Sequence, residues 1–597
     1  MIRLADYVMD FIADQGVRHI FLLPGGGCMH LVDAVGHSNR LQYVCNLHEQ
    51  AVSIATEAYA QYTGNLGVGL VTTGPGGTNA ITGIAAAWVE STPCVILSGQ
   101  VKRDDLIGDS GLRQLGMQEI DIISIVRPIT KYAETILDPQ KIKYHLEKAW
   151  FTAQNGRPGP VWLDIPLDVQ AAYIDETKLT GFPSTMRSVV DVENIDLSTV
   201  VSEATRMLKE SERPCILVGN GVRLSKAMGK FQQLVDLMKI PVLTTWKTID
   251  FFDNNHPLYF GRPGSLGQRG ANFIQQNCDL LLVLGARLDA GQTGYNHEHF
   301  APKAKKIVVD IDPHETKKLK MNNMLTVNTD VGVFIDRLSE SMKDAELFNI
   351  DDWIAYCRSA NHRYPIVHSK YYEETDYVNP YVLIDQICEY IDENAIVVPG
   401  SSGMCSEITM QAFRVKKGQR ILNNQGFGAM GFGLPASIGV CLAADKHPVV
   451  CINGDGGFQL NIQELETVSR LNLPIKYFIL NNQGYGAITN TQRNYFGGYY
   501  VASESSSGLT LPDICKVALA YNIPTRRIHN HAELLQHIES VLQQPGPFVC
   551  DVMIDPMQIA QPRMSSMKLE DGTMISKPLE DLWPFLDRDE WASNMLD

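Results

Sequence analysis

Short apolar runs alternate with amphipathic stretches along the chain, and this alternation predicts parallel α/β structure. Residues 3–15 carry apolar side chains at three- and four-residue spacing, as a helix with one buried face requires. Uninterrupted apolar runs indicate strands that are buried on both faces of a sheet. In the first 170 residues, the predicted strands are 19–23, 42–46, 68–71 and 94–99.

The same rhythm recurs twice further along the chain, which at 597 residues is too long for one ordinary core. The predicted strands of the second region are 214–222, 241–246, 280–288 and 306–312. The third region begins near Asn379-Pro380. The sequence therefore predicts three doubly wound parallel-sheet domains, at 1–172, 190–345 and 379–560, followed by a C-terminal tail at 561–597.

The stretch from residue 448 to residue 484 carries the clearest candidate chemistry. A buried strand ends at the turn GDGG, a helix is predicted over 460–471, and a second strand ends at Asn481-Asn482. A right-handed crossover between parallel strands places both carboxyl ends on one edge of the sheet, so Asp455 and Asn482 face one crevice. Carboxylate, amide and carbonyl oxygens suit Mg²⁺ or Ca²⁺, while glycines let backbone N–H groups approach a phosphate.

Each of these motifs alone is also explained by an ordinary β–α turn or an ordinary loop. The separation of Asp455 and Asn482 by 27 residues, the intervening crossover and the two strand-end positions agree with one another. This agreement favours a divalent metal that holds a diphosphate. Glu49, in the first turn of a helix that Gly64 should end, is by itself explained as a carboxylate that stabilises the helix dipole.

Composition and charge narrow the class of partner. The chain is 45% hydrophobic and 20% charged, and its net charge is 51 minus 67, or −16, which disfavours binding to nucleic acid or to an anionic membrane. The twelve cysteines include no CxxC pair, and no run of about 18 uncharged apolar residues occurs. We therefore expect reduced thiols, a cytoplasmic location, no membrane span and small-molecule chemistry.

Six further motifs occur in a fixed order around GDG and NN. They are PGGG at 24–27, HEQ at 48–50, TTGPGGTN at 72–79, SGQV at 98–101, GRPGPVWLDIP at 156–166 and GAMGFGLPA at 428–436. In combination, these motifs resemble those of the thiamin diphosphate enzymes, specifically the acetolactate synthase-like carboligases, along essentially the whole chain. The resemblance implies thiamin diphosphate and Mg²⁺ as cofactors.

The resemblance also implies roles for individual residues. Glu49 would bond the aminopyrimidine ring of the cofactor, and Gln118 matches an active-site glutamine, with Met117 in place of the usual aromatic neighbour. The implied metal ligands are Asp455, Asn482 and the carbonyl of Gly484. The implied cofactor-binding residues are Ser401, Ser402, Gly428, Met430, Gly456 and Gly457. The implied substrate residues are Gly26, Gly27 and Thr491.

The implied reaction is decarboxylation of pyruvate or a similar 2-oxo acid, followed by transfer of the two-carbon unit to a carbonyl acceptor. Thr491 stands where acetolactate synthases carry a tryptophan, and the tail resembles proteins associated with surface-sugar biosynthesis. Our hypothesis is therefore a keto-sugar nucleotide as acceptor. The alternatives are an acetolactate synthase that condenses two pyruvates and a cofactor-binding regulatory homologue without catalysis.

The family architecture implies a homodimer or homotetramer in which Glu49 of one subunit faces the diphosphate site of another. It leaves open whether FAD occupies the central domain. Arg157 and Arg287 match positions associated with flavin contact, but the second arginine of the usual RFDDR-like run is absent from RLDAG at 287–291.

Overall fold

The structure, a computed structural model, describes residues 1–183, 185, 196–343, 350–568, 571 and 573–596. The domain boundaries predicted at 190 and 345 lie outside the described residues. The chain divides into two compact units. The first unit comprises 1–190, 395–406 and 421–556, and the second comprises 191–394, 407–420 and 557–597.

The first unit contains two six-stranded sheets that share one strand order. Numbered along the chain, the strands of each sheet lie side by side in the order 2-1-3-4-6-5. In space, the first sheet runs Gln42–Cys45, His19–Leu22, Gly67–Val71, Cys94–Gln100, Val161–Pro166 and Tyr132–Thr135. The second runs Arg420–Ile421, Ile396–Pro399, Val449–Gly454, Ile475–Asn481, Phe548–Met553 and Thr525–Ile528. The parallel pairing of these apolar strands confirms the predicted fold class.

Helices cover the faces of both sheets. Those of the first sheet are Leu4–Asp14, Met29–His37, Glu49–Thr63, Pro75–Asn79, Ile81–Glu90, Ile122–Val126, Ile142–Gln154 and Leu167–Gln170. Those that follow in the second are Gly433–Ala443, Asp455–Gln459, Leu465–Arg470, Gly486–Tyr495, Ile514–Ala520 and His531–Gln543. Residues of the helix Met404–Ala412 are divided between the two units.

The helix Glu49–Thr63 lies at the centre of the first unit, and its side chains from Ala51 to Ala60 are buried. It ends where Gly64 adopts a left-handed conformation with φ 66°, as the sequence predicts. The helix packs against Gly433–Ala443 so closely that a Cβ atom on Gly439 would lie 2.2 Å from the carbonyl oxygen of Ala55. The run of alanines and serine along this helix is therefore a requirement of packing.

The single helix predicted over 460–471 is wrong. A short helix Asp455–Gln459 is followed by a 3₁₀ turn Ile462–Glu464 and a second helix Leu465–Arg470. The break occurs because Asn461 adopts φ 71°, a left-handed conformation that asparagine tolerates. Its side-chain Nδ2 donates to the carbonyl oxygen of Gly431 at 3.0 Å, which ties the break to the GAMGFG loop.

The second unit contains a five-stranded parallel sheet. In space, it runs Val242–Thr244, Pro214–Val218, Leu280–Leu284, Lys305–Asp310 and Met324–Asn328. The helices of this unit are Leu197–Lys209, Gly221–Leu224, Met228–Met238, Arg269–Asn277, Ala290–Thr293, Pro313–Lys317, Val331–Met342, Asp351–Arg363, Pro380–Tyr390 and Arg588–Ser593. A two-stranded ribbon pairs Ser566–Lys568 with Met574–Ser576.

The C-terminal tail is bound to the buried helix Arg269–Asn277. Arg269 donates to the carbonyl oxygens of Leu582 and Pro584, and Asn277 Nδ2 donates to the carbonyl oxygen of Asn594 at 2.8 Å. The tail is therefore an integral part of this unit.

Candidate active site

A group of oxygen atoms converges where the strands Val449–Gly454 and Ile475–Asn481 end. The Asp455 side chain is buried, with its Oδ1 accepting from Gly456 N at 2.8 Å and its Oδ2 accepting from Gly484 N at 3.2 Å. The side-chain oxygen of Asn482 faces the Gly484 carbonyl oxygen at 2.8 Å and Asp455 Oδ1 at 3.2 Å. Only a turn of the amide by 180° would place a hydrogen between these atoms.

An amide, a backbone carbonyl and a carboxylate that converge at these distances fit a divalent cation, because either orientation of the amide leaves its oxygen able to turn toward the cation. Neighbouring ligands of an octahedral Mg²⁺ lie about 2.9 Å apart, given the usual metal–oxygen distance of about 2.05 Å. Burial also raises the pKa of Asp455 to about 7, because the backbone N–H groups that bond it only partly offset its desolvation. A cation at this position would favour the ionised carboxylate, so the residues present fit the metal that the resemblance implies.

A buried carboxylate supports the turn that carries Asn482. Asp551, in the strand Phe548–Met553, accepts from Asn481 Nδ2 at 2.8 Å and from Arg527 Nε at 2.7 Å. Asn481 Oδ1 in turn accepts from Gln483 N at 3.1 Å, which shapes the turn after the strand. Asp551 and Arg527 were not among the predicted site residues, although a lone aspartate within an apolar strand was an available signal.

Glycines leave the backbone uncovered beside the converging oxygens of Asp455, Asn482 and Gly484. A Cβ atom on Gly456 would lie 2.5 Å from the ring of Tyr485, so no side chain fits there. The same position lies 3.7 Å from Cε of Met430, which places Met430 beside the GDGG turn. Ser401 Oγ donates to the carbonyl oxygen of Ala429, between Gly428 and Met430. The structure thus brings Ser401, Gly428, Met430 and Gly456 together on one side.

Three other predicted residues lie in this half of the unit. Gly457 would place a Cβ atom 3.0 Å from Asn453 Oδ1. Ser402 is half-buried, and its carbonyl oxygen accepts from Cys405 Sγ at 3.3 Å. Thr491 is exposed on the helix Gly486–Tyr495, where its Oγ1 donates to the carbonyl oxygen of Ala487 at 3.0 Å. The Thr491 hydroxyl is therefore used within its own helix.

A second cluster surrounds Glu49 at the carboxyl edge of the first sheet. The Glu49 side chain is buried, and its Oε2 accepts from Asn79 Nδ2 at 3.0 Å. Asn79 ends the TTGPGGTN motif, so this turn also orients the glutamate. This role of Asn79 was not predicted, because nothing local links two residues 30 positions apart.

The predicted substrate residues of the first sheet meet the same turn. Gly27 N donates to Thr72 Oγ1 at 3.1 Å, and Gly26 precedes it in open space. Gln118 adopts φ 62°, and its carbonyl oxygen lies 2.1 Å from where a Cβ atom on Gly74 would stand. Gly26, Gly27, Gln118 and Glu49 therefore all lie around the loop after the strand Gly67–Val71.

A buried polar network closes the sheet beneath this loop. Asp164 accepts from Ser98 Oγ at 2.5 Å and from Gln100 Nε2 at 3.1 Å, and Gln100 Oε1 accepts from Thr73 Oγ1 at 2.7 Å. Burial raises the pKa of Asp164 to about 7, since these hydrogen bonds only partly compensate for lost solvation.

The two clusters lie at the edges of two different sheets of one chain. In the part of the chain that the structure describes, no hydrogen bond joins Glu49 to Asp455 or to Asn482. One cluster offers an oriented buried carboxylate, and the other offers a cation site next to accessible backbone N–H groups. Doubly wound parallel sheets with these two clusters at their carboxyl edges are typical of a cofactor-dependent α/β enzyme.

Comparison with known proteins specifies the family. Models of the thiamine pyrophosphate enzymes match the chain three times, with the N-terminal TPP binding domain at 2–125, the central domain at 201–338 and the C-terminal TPP binding domain at 401–552. The chain belongs to the thiamine pyrophosphate enzyme family. It is a thiamin diphosphate-dependent enzyme of the acetolactate synthase-like kind, as the motifs implied.

Relatives match over nearly the full length. The acetolactate synthase large subunit of Cyanidium caldarium is 32% identical over 94% of this chain and 94% of its own length. The probable acetolactate synthase large subunit of Methanocaldococcus jannaschii is 32% identical over 93% of this chain and 92% of its own. The large subunit of acetolactate synthase isozyme 2 of Escherichia coli is 31% identical over 94% and 96%, respectively.

The expectations about membrane-spanning helices and cysteines can also be compared with the structure. Among the described residues, no helix has the length and apolar character needed to cross a membrane. All twelve cysteines are free thiols in the structure. In the second unit, Arg287 forms an ion pair with Asp289 at 3.3 Å, and FAD in the central domain remains a prediction.

Proposed function

We propose that this enzyme decarboxylates pyruvate, or a similar 2-oxo acid, and transfers the two-carbon acetyl unit to a keto-sugar nucleotide. Bound thiamin diphosphate supplies a nucleophilic carbon and an electron sink. Glu49 would hold the aminopyrimidine ring through one carboxylate oxygen while Asn79 fixes the other. Asp455, Asn482 and the Gly484 carbonyl would hold Mg²⁺ against the diphosphate, with Gly456 and Gly457 offering backbone N–H groups.

The helix Gly486–Tyr495 carries the case for a large acceptor. Thr491 stands on it in place of tryptophan and leaves the surface open at that position. Arg493 has no hydrogen-bond or ion-pair partner in the described part of the chain, and its Nε is nevertheless buried. A partnerless guanidinium suits a phosphate group, and exposed aromatic rings suit a sugar or a base. The aromatic residues beside it are Tyr495, Phe496 and Tyr499.

The donor side of the proposal depends on Gln118 and the glycines near it. The Gln118 amide can donate to a carboxylate or a ketone oxygen of a 2-oxo acid. Gly26 has no atom within 4 Å of where its Cβ would stand, which leaves room for a substrate near the Glu49 cluster. These features support a small anionic donor on the side of the first sheet.

Condensation of two pyruvates is the second candidate, and the names of the relatives favour it. The test is to incubate the enzyme with pyruvate alone and with pyruvate plus a panel of keto-sugar nucleotides, and to resolve the products by mass. We expect a product two carbons heavier than the sugar and at least tenfold faster release of CO₂. Acetolactate formation that no sugar changes would overturn the keto-sugar acceptor.

A pair of variants sharpens this test. Thr491→Trp should reduce use of the sugar acceptor by about tenfold or more, because the indole fills the open position. Thr491→Ser keeps a small side chain and the hydroxyl that bonds Ala487, so it serves as the matched control. Equal acceptor use by both variants would argue against a role for residue 491 in acceptor choice.

We further propose a cytoplasmic homodimer or homotetramer in which Glu49 of one subunit serves the metal site of another. In the described part of one chain, no hydrogen bond joins Glu49 to Asp455 or Asn482, which supports this arrangement. Mixing inactive Glu49→Gln and Asp455→Asn subunits tests it, because a hybrid dimer regains one intact site only if the two residues come from different chains. A mixture that stays inactive after subunit exchange would contradict it.

Visible absorption of the purified enzyme tests whether FAD is bound.

A further inference from the structure

The loop between the strand Cys94–Gln100 and the helix Ile122–Val126 closes around one buried carboxylate. Glu119 is 4% exposed. Its Oε1 accepts from Ile107 N at 2.5 Å, and its Oε2 accepts from Leu115 N at 3.1 Å and from Gly116 N at 3.0 Å. One side chain thus gathers backbone groups that lie nine residues apart in sequence.

These contacts replace the order that secondary structure would otherwise supply. The loop contains only one 3₁₀ turn, Arg103–Asp105, before the helix begins. Its backbone N–H groups need acceptors wherever they are buried, and a carboxylate can accept several hydrogen bonds at once. The carbonyl of Glu119 also accepts from Gln114 Nε2 at 3.1 Å, so both ends of the residue hold the same loop.

The residue before Glu119 is the predicted substrate residue Gln118. Its φ of 62° is uncommon for a residue with a side chain and persists only where the surroundings enforce it. Its carbonyl oxygen is packed against Gly74, which has no Cβ atom to displace it. The backbone of Gln118 is thus held from one side by Gly74 and from the other by the Glu119 anchor.

The side chain of Gln118 is not held in the same way. It is exposed, and in the described part of the chain it makes no hydrogen bond. A rigid backbone that carries an uncommitted amide is the arrangement of a preorganised ligand contact, since ordering costs are met before the ligand binds.

We propose that Glu119 is a positioning residue that fixes Gln118 for the 2-oxo acid donor. The proposal rests on the proposed function, in which Gln118 contacts the donor. Glu119 touches no substrate itself. Without its carboxylate, the backbone at Ile107, Leu115 and Gly116 loses its acceptors, and Gln118 relaxes from the left-handed conformation.

The experiment compares the holoenzyme with its Glu119→Ala, Glu119→Gln and Gln118→Ala variants. Arg113 lies exposed within the loop, so tryptic cleavage after Arg113, followed by mass spectrometry, reports loop opening without reference to activity. Steady-state assays report KM for pyruvate separately from kcat. Glu134→Gln, at an exposed carboxylate of the same sheet, is the matched control.

We expect Glu119→Ala to speed cleavage after Arg113 by about tenfold or more and to raise KM by a similar factor, since small misplacements of binding groups are costly. Glu119→Gln keeps one acceptor oxygen and should recover part of both losses. Gln118→Ala should raise KM without faster cleavage. All variants should retain the cofactor affinity of the unchanged enzyme, and Gln118→Ala should also retain its thermal midpoint.

Cleavage that Glu119→Ala leaves unchanged would overturn the proposal. Faster cleavage with an unchanged KM in Glu119→Ala, while Gln118→Ala raises KM, would also overturn it, because the anchor would then have no bearing on the substrate. Failure of the keto-sugar acceptor would leave pyruvate turnover and both arms of this test intact. Failure of the pyruvate donor would leave the unchanged enzyme without pyruvate turnover, whereas the cleavage result would be unaffected.

Discussion

The two six-stranded sheets of the first unit have the same strand order, yet they present different chemistry at the same edge. In each sheet, an amide at the end of the fourth strand donates to an aspartate in the sixth. Gln100 bonds Asp164 in the first sheet, and Asn481 bonds Asp551 in the second. In each, the amide lies two residues beyond the strand partner of that aspartate. The topology is therefore repeated down to individual hydrogen bonds.

The partner of the aspartate from the fifth strand distinguishes the two sheets. Thr135 pairs with Asp164 across the strands, whereas Arg527 pairs with Asp551. The Asp551 carboxylate raises the pKa of Arg527, while burial without a cation raises the pKa of Asp164 to about 7. Beyond these networks, the first sheet closes its edge through Thr73, and the second leaves oxygens facing one another. The shared topology determines where a site can form, and the side chains at that edge determine its chemistry.

The largest expected effect tests whether the first sheet contributes catalysis through one carboxylate. Glu49→Gln should lower kcat by about a thousandfold, within the range for loss of a general acid–base group, because an amide cannot exchange the proton. Cofactor affinity should change less than tenfold. Stopped-assay turnover and fluorescence titration with thiamin diphosphate measure the two quantities, and Glu134→Gln is the control. An unchanged kcat would favour a regulatory homologue.

The next effect tests whether Mg²⁺ binding depends on the edge of the second sheet alone. Asp455→Asn removes the one anionic oxygen of the converging group and should weaken Mg²⁺-dependent binding of thiamin diphosphate about a hundredfold. Asp164→Asn, at the buried aspartate of the other sheet, should change it less than threefold. Titration of both variants with Mg²⁺ measures these changes. Equal losses of affinity in the two variants would contradict the proposed difference between the two sheet edges.

A pH effect of intermediate size tests the raised pKa of Asp164. The pKa of Asp164 in the folded protein, about 7, lies above the ordinary value of 3.8. Between these values, the folded state keeps a proton that the unfolded chain has released, so stability is full below pH 4 and is lost as pH rises through 7. The loss should reach roughly 2 kcal/mol between pH 5 and pH 7.

Urea denaturation at several pH values measures this loss. In Asp164→Asn, the group no longer titrates, so the pH slope should flatten by that amount. Asp445→Asn, at an exposed aspartate paired with Arg18, is the control and should leave the slope intact. If the free energy of unfolding of Asp164→Asn depends on pH as it does in the unchanged enzyme, another titrating group causes that dependence.

The smallest effect tests the packing between the helices of the two sheets. Gly439→Ala should destabilise the protein by about 1–3 kcal/mol, because the new methyl group meets the Ala55 carbonyl oxygen. Gly36→Ala, in the helix Met29–His37 with open space around it, should instead be neutral or stabilise by about 0.5–1 kcal/mol. Urea midpoints compare them, and a shift of the same sign in both would contradict this account.

The sequence predicted most of the fold because strands buried on both faces are continuous apolar runs. It placed some strand ends too late, as at 280–288, since the strand Leu280–Leu284 stops where Gly285 turns with φ 60°. It also missed the break at Asn461, because a left-handed asparagine leaves the apolar spacing of a helix intact.

The candidate site was predictable only where neighbours in space are linked by a known crossover. Asp455 and Asn482 follow from strand, helix and strand, and the structure brings them within 3.2 Å. Asn79 beside Glu49 and Arg527 beside Asp551 were missed, because long-range packing brings them together and no local spacing encodes it. The roles of the predicted residues remain for the experiments above.

The buried helix Glu49–Thr63 has a consequence for directed evolution. Its alanines are buried and the glycine that meets Ala55 has no room for a side chain, so most variants in libraries that change them should be destabilised. The helix Gly486–Tyr495 is exposed at Ala487, Ile488, Thr491, Asn494 and Tyr495, and these positions can be randomised at little structural cost. Enzymes that use other acceptors are therefore best sought by varying those exposed positions while the central helix keeps its sequence. The stability of the central helix then tolerates the substitutions made at the surface.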